Sequence, residues 1–495
     1  MAIVDTATGK IEGLEHDDHF EFRGVPYSAP PVGPRRLRPP EAVEPWDGTR
    51  SATEYGPIAH QMISPIEQFQ GLDVSQASED CLYLNVWTPG LDGNRPVMVW
   101  IHGGAFIGGA GSAPWYSGAG FARAGTVFVS LNYRLGALGF LHLDDIGDGY
   151  TGAGNLGILD QVAALRWVRD NIAAFGGDPD NVTVFGESAG AMSIGTLLGM
   201  PEAKGLFRNA ILQSGATAHV HDPDAATLIA RETIDALGVD DLTELEGLPA
   251  EEFVRAQSQV LAKHWGKGFD LPFQPVADGT TIPQQPLDAI RAGSSDGVRV
   301  IAGTTADEMK LFAMIDQTYS TMDHDGLLAR ATELFGSDEL AHEVIGLYTE
   351  DATGPGDVWA RIQTDRVFRI PAVRLAEARG DDAETYMYRF DFATPIAGGA
   401  LGSCHALDVP FVFQSLDRPG VSAFVGDVDD GMRALAATMS EAWRRFAAGD
   451  SPVVSGMPEW PLYTSEERAV MILGRDVHLE HDPMGEHRAA WDGIR

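Results

Sequence analysis

Val182-Thr183-Val184-Phe185-Gly186-Glu187-Ser188-Ala189-Gly190-Ala191-Met192-Ser193-Ile194 is the stretch on which the reading of this chain turns. Its first four residues, β-branched or aromatic, read as a buried strand, and the small residues after Ser188 open a helix. Between them stands Gly-x-Ser-x-Gly. So tight a strand-to-helix turn forces the serine into a strained backbone conformation and lifts its hydroxyl above the strand ends. Glycines two residues to either side let neighbouring segments pass where a Cβ would collide. The turn also leaves the amide of Ala189 at a helix N-terminus, free to donate to negative charge developing on an oxygen. Ser188 is therefore the candidate nucleophile. The same pattern recurs at Gly293-Ser294-Ser295-Asp296-Gly297, but in a polar loop that precedes a strand, the wrong order of elements.

Outward from this elbow, short apolar runs alternate with amphipathic segments. Residues 97–101, 127–131, 210–212, 298–302 and 386–392 read as strands. Residues 158–175 read as a helix, apolar at 158, 162, 165, 168, 172 and 175, stopped by Gly176-Gly177 and Pro179. Such alternation predicts a mostly parallel central sheet with helices on both faces. Two stretches, near 220–295 and 313–380, are helical in pattern with no linker-like tract around them. They read as insertions roofing the active site within a single unit, 1–495. Met432, Leu435, Ala436, Met439, Ala442, Trp443 and Phe446 mark one face of a further helix.

His102-Gly103-Gly104-Ala105-Phe106 follows the strand at 97–101, and its small residues leave backbone amides open to a ligand. With the elbow serine two strands on, the amides of Gly104, Ala105 and Ala189 are the candidate oxyanion hole. Chain order then picks the base and acid, which follow the serine on loops after later strands. His405 is the best placed of fourteen histidines. Asp307 and Glu308 stand side by side after the strand at 298–302, and pattern alone does not separate them.

Composition narrows the function classes. Lys and Arg total 35 against 71 Asp and Glu, a net charge of −36, which repels phosphate backbones and argues against nucleic acid. No run of about 18 apolar residues predicts a membrane span. With no basic-then-apolar start, a cytoplasmic location is the default expectation. Cys81 and Cys404 are far apart and suggest neither disulfide nor metal site. Gly152-Ala153-Gly154-Asn155-Leu156-Gly157 matches a dinucleotide fingerprint but follows a polar loop, so no cofactor is expected. His219-Val220-His221-Asp222 reads as a surface turn, not a metal site.

Several stretches resemble the type-B carboxylesterase family, which also includes the animal cholinesterases. They are Phe22-Arg23-Gly24-Val25-Pro26-Tyr27, Glu79-Asp80-Cys81-Leu82-Tyr83-Leu84-Asn85-Val86-Trp87, Asn132-Tyr133-Arg134, Gly154-Asn155-Leu156-Gly157, Asp160-Gln161 and Trp460-Pro461-Leu462-Tyr463. The resemblance implies the α/β-hydrolase fold and carboxylic ester hydrolysis by a Ser-His-Glu triad. It assigns Glu308 as the acid, supports His405 through the stretch His-Ala-Leu-Asp-Val-Pro-Phe, and makes Arg36 and Glu79 a structural ion pair. Ser214 corresponds to a serine behind the triad. No cysteine precedes Cys81 to pair with it, as one does in secreted animal members, which favours the bacterial, intracellular branch.

The expected chemistry is attack by Ser188 on an ester carbonyl with His405 as base, then hydrolysis of the acyl-enzyme by water. Short- to medium-chain esters are the expected substrates, for a chain that acts as a monomer. Phe106, Trp115, Tyr116, Phe312 and residues 60–78 are the candidate pocket. The alternatives are a lipase for longer-chain glycerides, which would need a large apolar lid, and a non-catalytic binding protein on the same scaffold.

Overall fold

Apolar runs that the sequence marks as strands lie side by side, buried on both faces, as continuous rather than alternating hydrophobicity requires. The computed structural model describes residues 1–62, 71–264 and 271–494. The N-terminal strands are β1 (Ala2–Thr6), β2 (Gly9–Glu15), β3 (Phe20–Pro26), β4 (Thr49–Ser51) and β5 (Tyr83–Thr88). Then come β6 (Arg95–Ile101), β7 (Val127–Leu131), β8 (Gly177–Glu187) and β9 (Asn209–Gln213). The chain finishes the sheet with β10 (Arg299–Thr305), β11 (Thr385–Phe390), β12 (Ala469–Leu473) and β13 (His478–His481). They form one sheet in the order β1-β2-β3-β5-β7-β6-β8-β9-β10-β11-β12-β13, with β4 beside β2.

Strands β7-β6-β8-β9-β10-β11-β12 pair parallel, and β1-β2-β3-β5 join them antiparallel through β5 and β7. Alternate residues of each strand feed two cores. Val97, Val99, Ile101, Val182 and Val184 face the helices Leu156–Asn171 and Ala189–Gly199. Met98, Trp100, Phe185, Ile211 and Ile301 face the helix Asp430–Ala447, which buries all seven apolar residues predicted for its inner side. Asp429 caps that helix by accepting from the amide of Met432 at 2.8 Å.

Among the described residues, helices occupy much of both stretches, near 220–295 and 313–380. Among 317–364, Leu327, Ala331, Phe335, Ala341, Val344 and Trp359 build a third apolar cluster, joined by Trp491 from the far C-terminus. The helix Ile370–Arg379, by contrast, packs on β10 and β11 and belongs to the sheet's own covering layer. Arg36 ties the other insertion down: its Nε donates to Glu79 at 2.6 Å, and its Nη1 reaches the carbonyls of Leu245, Glu246 and Leu248. Arg134 makes a buried bidentate pair with Asp160 at 2.7–2.8 Å. These side chains explain three family-like stretches, through Glu79, Arg134 and Asp160, as scaffold.

Register decides where the chemistry sits. Ile101 pairs with Gly186, Glu187 with Gln213, Gly303 with Gln213 and Thr305 with Phe390. The C-terminal ends of β6, β8, β9, β10 and β11 are therefore level, and the loops after them emerge at one edge, where ligands bind in open parallel sheets. Among the described residues no helix is long and apolar enough to cross a membrane.

Candidate active site

Ser188 sits between β8 and its helix at φ 56°, ψ −127°, the strained conformation expected of an elbow. The glycine argument holds in atomic detail: a Cβ on Gly186 or Gly190 would lie 2.6 or 2.0 Å from the carbonyl oxygen of Ile101. The amide of Ser188 donates to Gln213 at 2.9 Å, anchoring the elbow to the neighbouring strand.

The loop after β6 presses on this turn, since a Cβ on Gly103 would meet the Glu187 carbonyl oxygen at 2.7 Å. Gly104, Ala105 and Phe106 are all left-handed, at φ 109°, 53° and 60°. Successive non-glycine residues in that region cost about 1–2 kcal/mol each, so the surroundings must impose them. Tyr133 helps, donating to the His102 carbonyl at 2.9 Å with its ring stacked on the imidazole. Among the described residues, the amides of Gly104, Ala105 and Ala189 have no acceptor within the chain.

After β10, the structure separates the two acids that pattern could not. Glu308 is fully buried: one oxygen accepts from the amide of Thr305 at 2.8 Å and the other lies 2.6 Å from Nδ1 of His405. Asp307 turns away to accept from the amide of Ser403 and to pair with Lys310 at 2.8 Å, pinning the loop that carries the histidine. The opposite ring nitrogen, Nε2, faces the elbow, 3.1 Å from Oε1 of Glu187. Ser214, at φ 52° and buried, follows β9 behind Ser188, and its Oγ has no partner among the described residues.

Three buried carboxylates thus surround one imidazole. Asp408 accepts from Gln213 Nε2 and from the Tyr388 hydroxyl, both at 2.9 Å, and Gln213 in turn accepts from Trp443 Nε1 at 3.1 Å. Burial raises the Glu187 and Asp408 carboxyls above their ordinary range. For His405 burial favours the neutral ring, but the charges of Glu187 and Glu308 outweigh it and raise its pKa. Sequence reasoning missed Glu187 and Asp408. The first occupies a variable position of Gly-x-Ser-x-Gly, and the second lies three residues after His405, at the N-cap of the short helix Val409–Val412.

Phe312 packs on the His405 ring at 5.1 Å between centroids. Phe368, in a π-helical turn at Asp365–Arg369, packs on it at 4.8 Å and was not foreseen, because its segment reads as ordinary amphipathic helix. Phe106 is buried against Phe140 beneath the oxyanion loop. Trp115 and Tyr116 are almost wholly buried. They are buried in the second core, Trp115 against Phe424 and Tyr116 against Trp100 and Phe413, so packing accounts for both. Of residues 60–78, 63–70 lie outside the described residues.

The rival motifs resolve structurally. Ser295 is buried before β10, at the opposite end of the sheet from Ser188, where its Oγ accepts from Arg379. Asn155 of the glycine-rich stretch donates to the Val276 carbonyl and to Asp278, so that stretch serves as packing. The turn expected at 219–222 is not on the surface: His219 and Val220 are buried and His221 bridges to Val276.

An elbow serine, a carboxylate-held imidazole and free amides at the level ends of parallel strands define an α/β-hydrolase. Within that class the chain belongs to the carboxylesterase family, which it matches over residues 1–491. It is 41% identical to the para-nitrobenzyl esterase of Bacillus subtilis (strain 168), over 98% of this chain and 97% of that one. It is 37% identical to the phenmedipham hydrolase of Pseudarthrobacter oxydans over 95% of each. A carboxylesterase structure from Geobacillus stearothermophilus superposes with a TM-score of 0.90 at 43% identity, covering 99% of both chains. This chain is a serine carboxylic ester hydrolase, with an ester and water as substrates.

Proposed function

We propose that Ser188, His405 and Glu308 carry out the hydrolysis, with the amides of Gly104, Ala105 and Ala189 as the oxyanion hole. One observation carries this assignment. The His405 imidazole is held between Glu308, 2.6 Å from Nδ1, and the nucleophile elbow, which Nε2 faces. Nε2 takes the Ser188 proton as Oγ attacks the ester carbonyl, and Glu308 stabilises the resulting imidazolium. The amides donate to the tetrahedral oxyanion, each worth about 3–4 kcal/mol of barrier. Nε2 then protonates the leaving alcohol, and water attacks the acyl-enzyme by the same route. Ser214 supports the elbow from behind, and Phe312 and Phe368 wall the site with rings that suit short- to medium-chain acyl groups.

We read residues 1–495 as one unit, a reading supported by Arg36 binding residues 245–248 and by Phe312 and Phe368 reaching His405 from 310–369. A monomer in a reducing, cytoplasmic setting is the matching assignment, supported by the two buried free thiols. The test is Ser188→Ala assayed on p-nitrophenyl esters from acetate to palmitate. Turnover should fall on the order of a millionfold while circular dichroism is unchanged. Wild-type turnover in that variant would overturn the assignment, and a wild-type optimum at palmitate would favour the lipase alternative.

A further inference from the structure

A second cluster of chemically capable side chains lies far from Ser188. The four-residue turn His16-Asp17-Asp18-His19 joins β2 to β3, closed by the amide of His16 donating to the His19 carbonyl at 2.9 Å. Closing the hairpin there brings the two imidazoles face to face, with ring centroids 4.4 Å apart and planes at 14°. Glu21, on β3, lies beside them, 3.1 Å from His16 Nε2. Each of the three residues offers one ligand atom, and these atoms all lie within 4.8 Å of one another.

We propose that His16, His19 and Glu21 form a binding site for a divalent transition-metal ion of zinc's borderline character. Two imidazoles and one carboxylate are the ligand set that zinc takes at an open site, with water as fourth ligand. At zinc–ligand bonds of about 2.0–2.1 Å, tetrahedral ligand atoms stand about 3.3 Å apart, so binding draws the cluster in from 4.8 Å and turns the exposed His16 ring out of its stack to aim its lone pair at the ion.

The groups behind the ligands are already in place. Asp18 lies 2.6 Å from Nδ1 of His19, fixing the ring and leaving Nε2 to offer a metal. A carboxylate behind a ligating histidine orients the ring and raises its basicity. Arg123 holds Asp18 in turn at 2.7 Å. Arg23 fixes the Glu21 carboxylate through Nε and Nη2 at 2.7 and 2.9 Å, and a carboxylate so bound retains lone pairs for a metal. Locally Glu15, Asp17, Asp18 and Glu21 outnumber Arg23 and Arg123, so the turn carries a negative field that favours a cation. His19 and Glu21 are nine-tenths buried while His16 is open to solvent, which gives a fixed base and an entry side.

The position makes the role structural. Phe20 pairs with Thr88 and Trp87 with Phe128, so the turn lies at the starts of the parallel strands, opposite the edge that carries Ser188. An ion there would clamp the N-terminal hairpin and, through Asp18 and Arg123, tie it to the helix Ala119–Arg123.

The experiment is calorimetric titration of the metal-free full chain with zinc chloride, with zinc content measured after dialysis. One ion per chain is expected. His16→Ala should weaken binding at least tenfold, and Asp18→Asn about ten- to a hundredfold with the ligands themselves intact. Ester hydrolysis, read in parallel, should stay at the wild-type rate in both variants and so report an intact fold. Absence of saturable zinc binding, or equal affinity in wild type and both variants, overturns the proposal.

Discussion

Glu308 reaches His405 because its other oxygen is held by the Thr305 amide and its neighbour Asp307 fixes the histidine loop from the far side. Replacing that carboxylate by an amide keeps the shape but removes the charge that supports the imidazolium. Glu308→Gln should therefore lower kcat about ten-thousandfold, measured on a p-nitrophenyl ester. As the proposed base, His405 must be neutral to take a proton. Although burial favours the neutral ring, Glu187 and Glu308 raise its pKa above the ordinary 6.5. The kcat/KM of the wild type should accordingly fall with decreasing pH through a midpoint above 6.5. Glu187→Gln removes the strongest of those charges, so the midpoint should move to lower pH. An unmoved midpoint would show that Glu187 carries no charge in the free enzyme. At this scale Ser188 was legible because a strained turn demands glycines in fixed positions. Phe368 and Asp408 were not, because an aromatic in a helical segment or an acid in a turn has no local signature that points to the site.

The elbow is an element whose geometry leaves no room for adjustment. A Cβ on Gly190 would stand 2.0 Å from a backbone oxygen of β6, an atom held in the sheet by its own ladder. Gly190→Ala must therefore push β6 and the helix Ala189–Gly199 apart, opening the first core. Loss of about 1–3 kcal/mol is expected from comparable overpacking, measured by urea unfolding, with activity falling as the amides proposed for the oxyanion hole move. An unchanged midpoint would mean that the helix can slide freely on the sheet. The strands and the helix Asp430–Ala447 were readable because period and length encode them locally. Their pairing order was not, since β6 lies between β7 and β8 and no sequence signal records that crossover.

For the whole molecule the dominant electrostatic fact is a net charge of −36. Self-repulsion of that size works against the compact state, and salt screens it. Raising sodium chloride from about 0.02 to about 0.5 M shortens the Debye length well below 10 Å and should raise Tm by several degrees in scanning calorimetry. A Tm that falls with salt would show that surface ion pairs, such as Arg433–Asp417, outweigh the net repulsion.

Sequence alone determined the class of fold, and it singled out the proposed nucleophile, oxyanion loop and base, because each is written in a local rule of backbone sterics or element order. The tertiary structure decided which neighbouring acid faces the imidazole, that Trp115 and Tyr116 belong to the core, and that Glu187 and Asp408 crowd the same histidine. The physical reason is that these outcomes depend on which side chains converge through strand register and crossover. Such convergence joins Glu308 to a histidine 97 positions on and Glu187 to the same ring from 218 positions away, and it leaves no trace in any one segment.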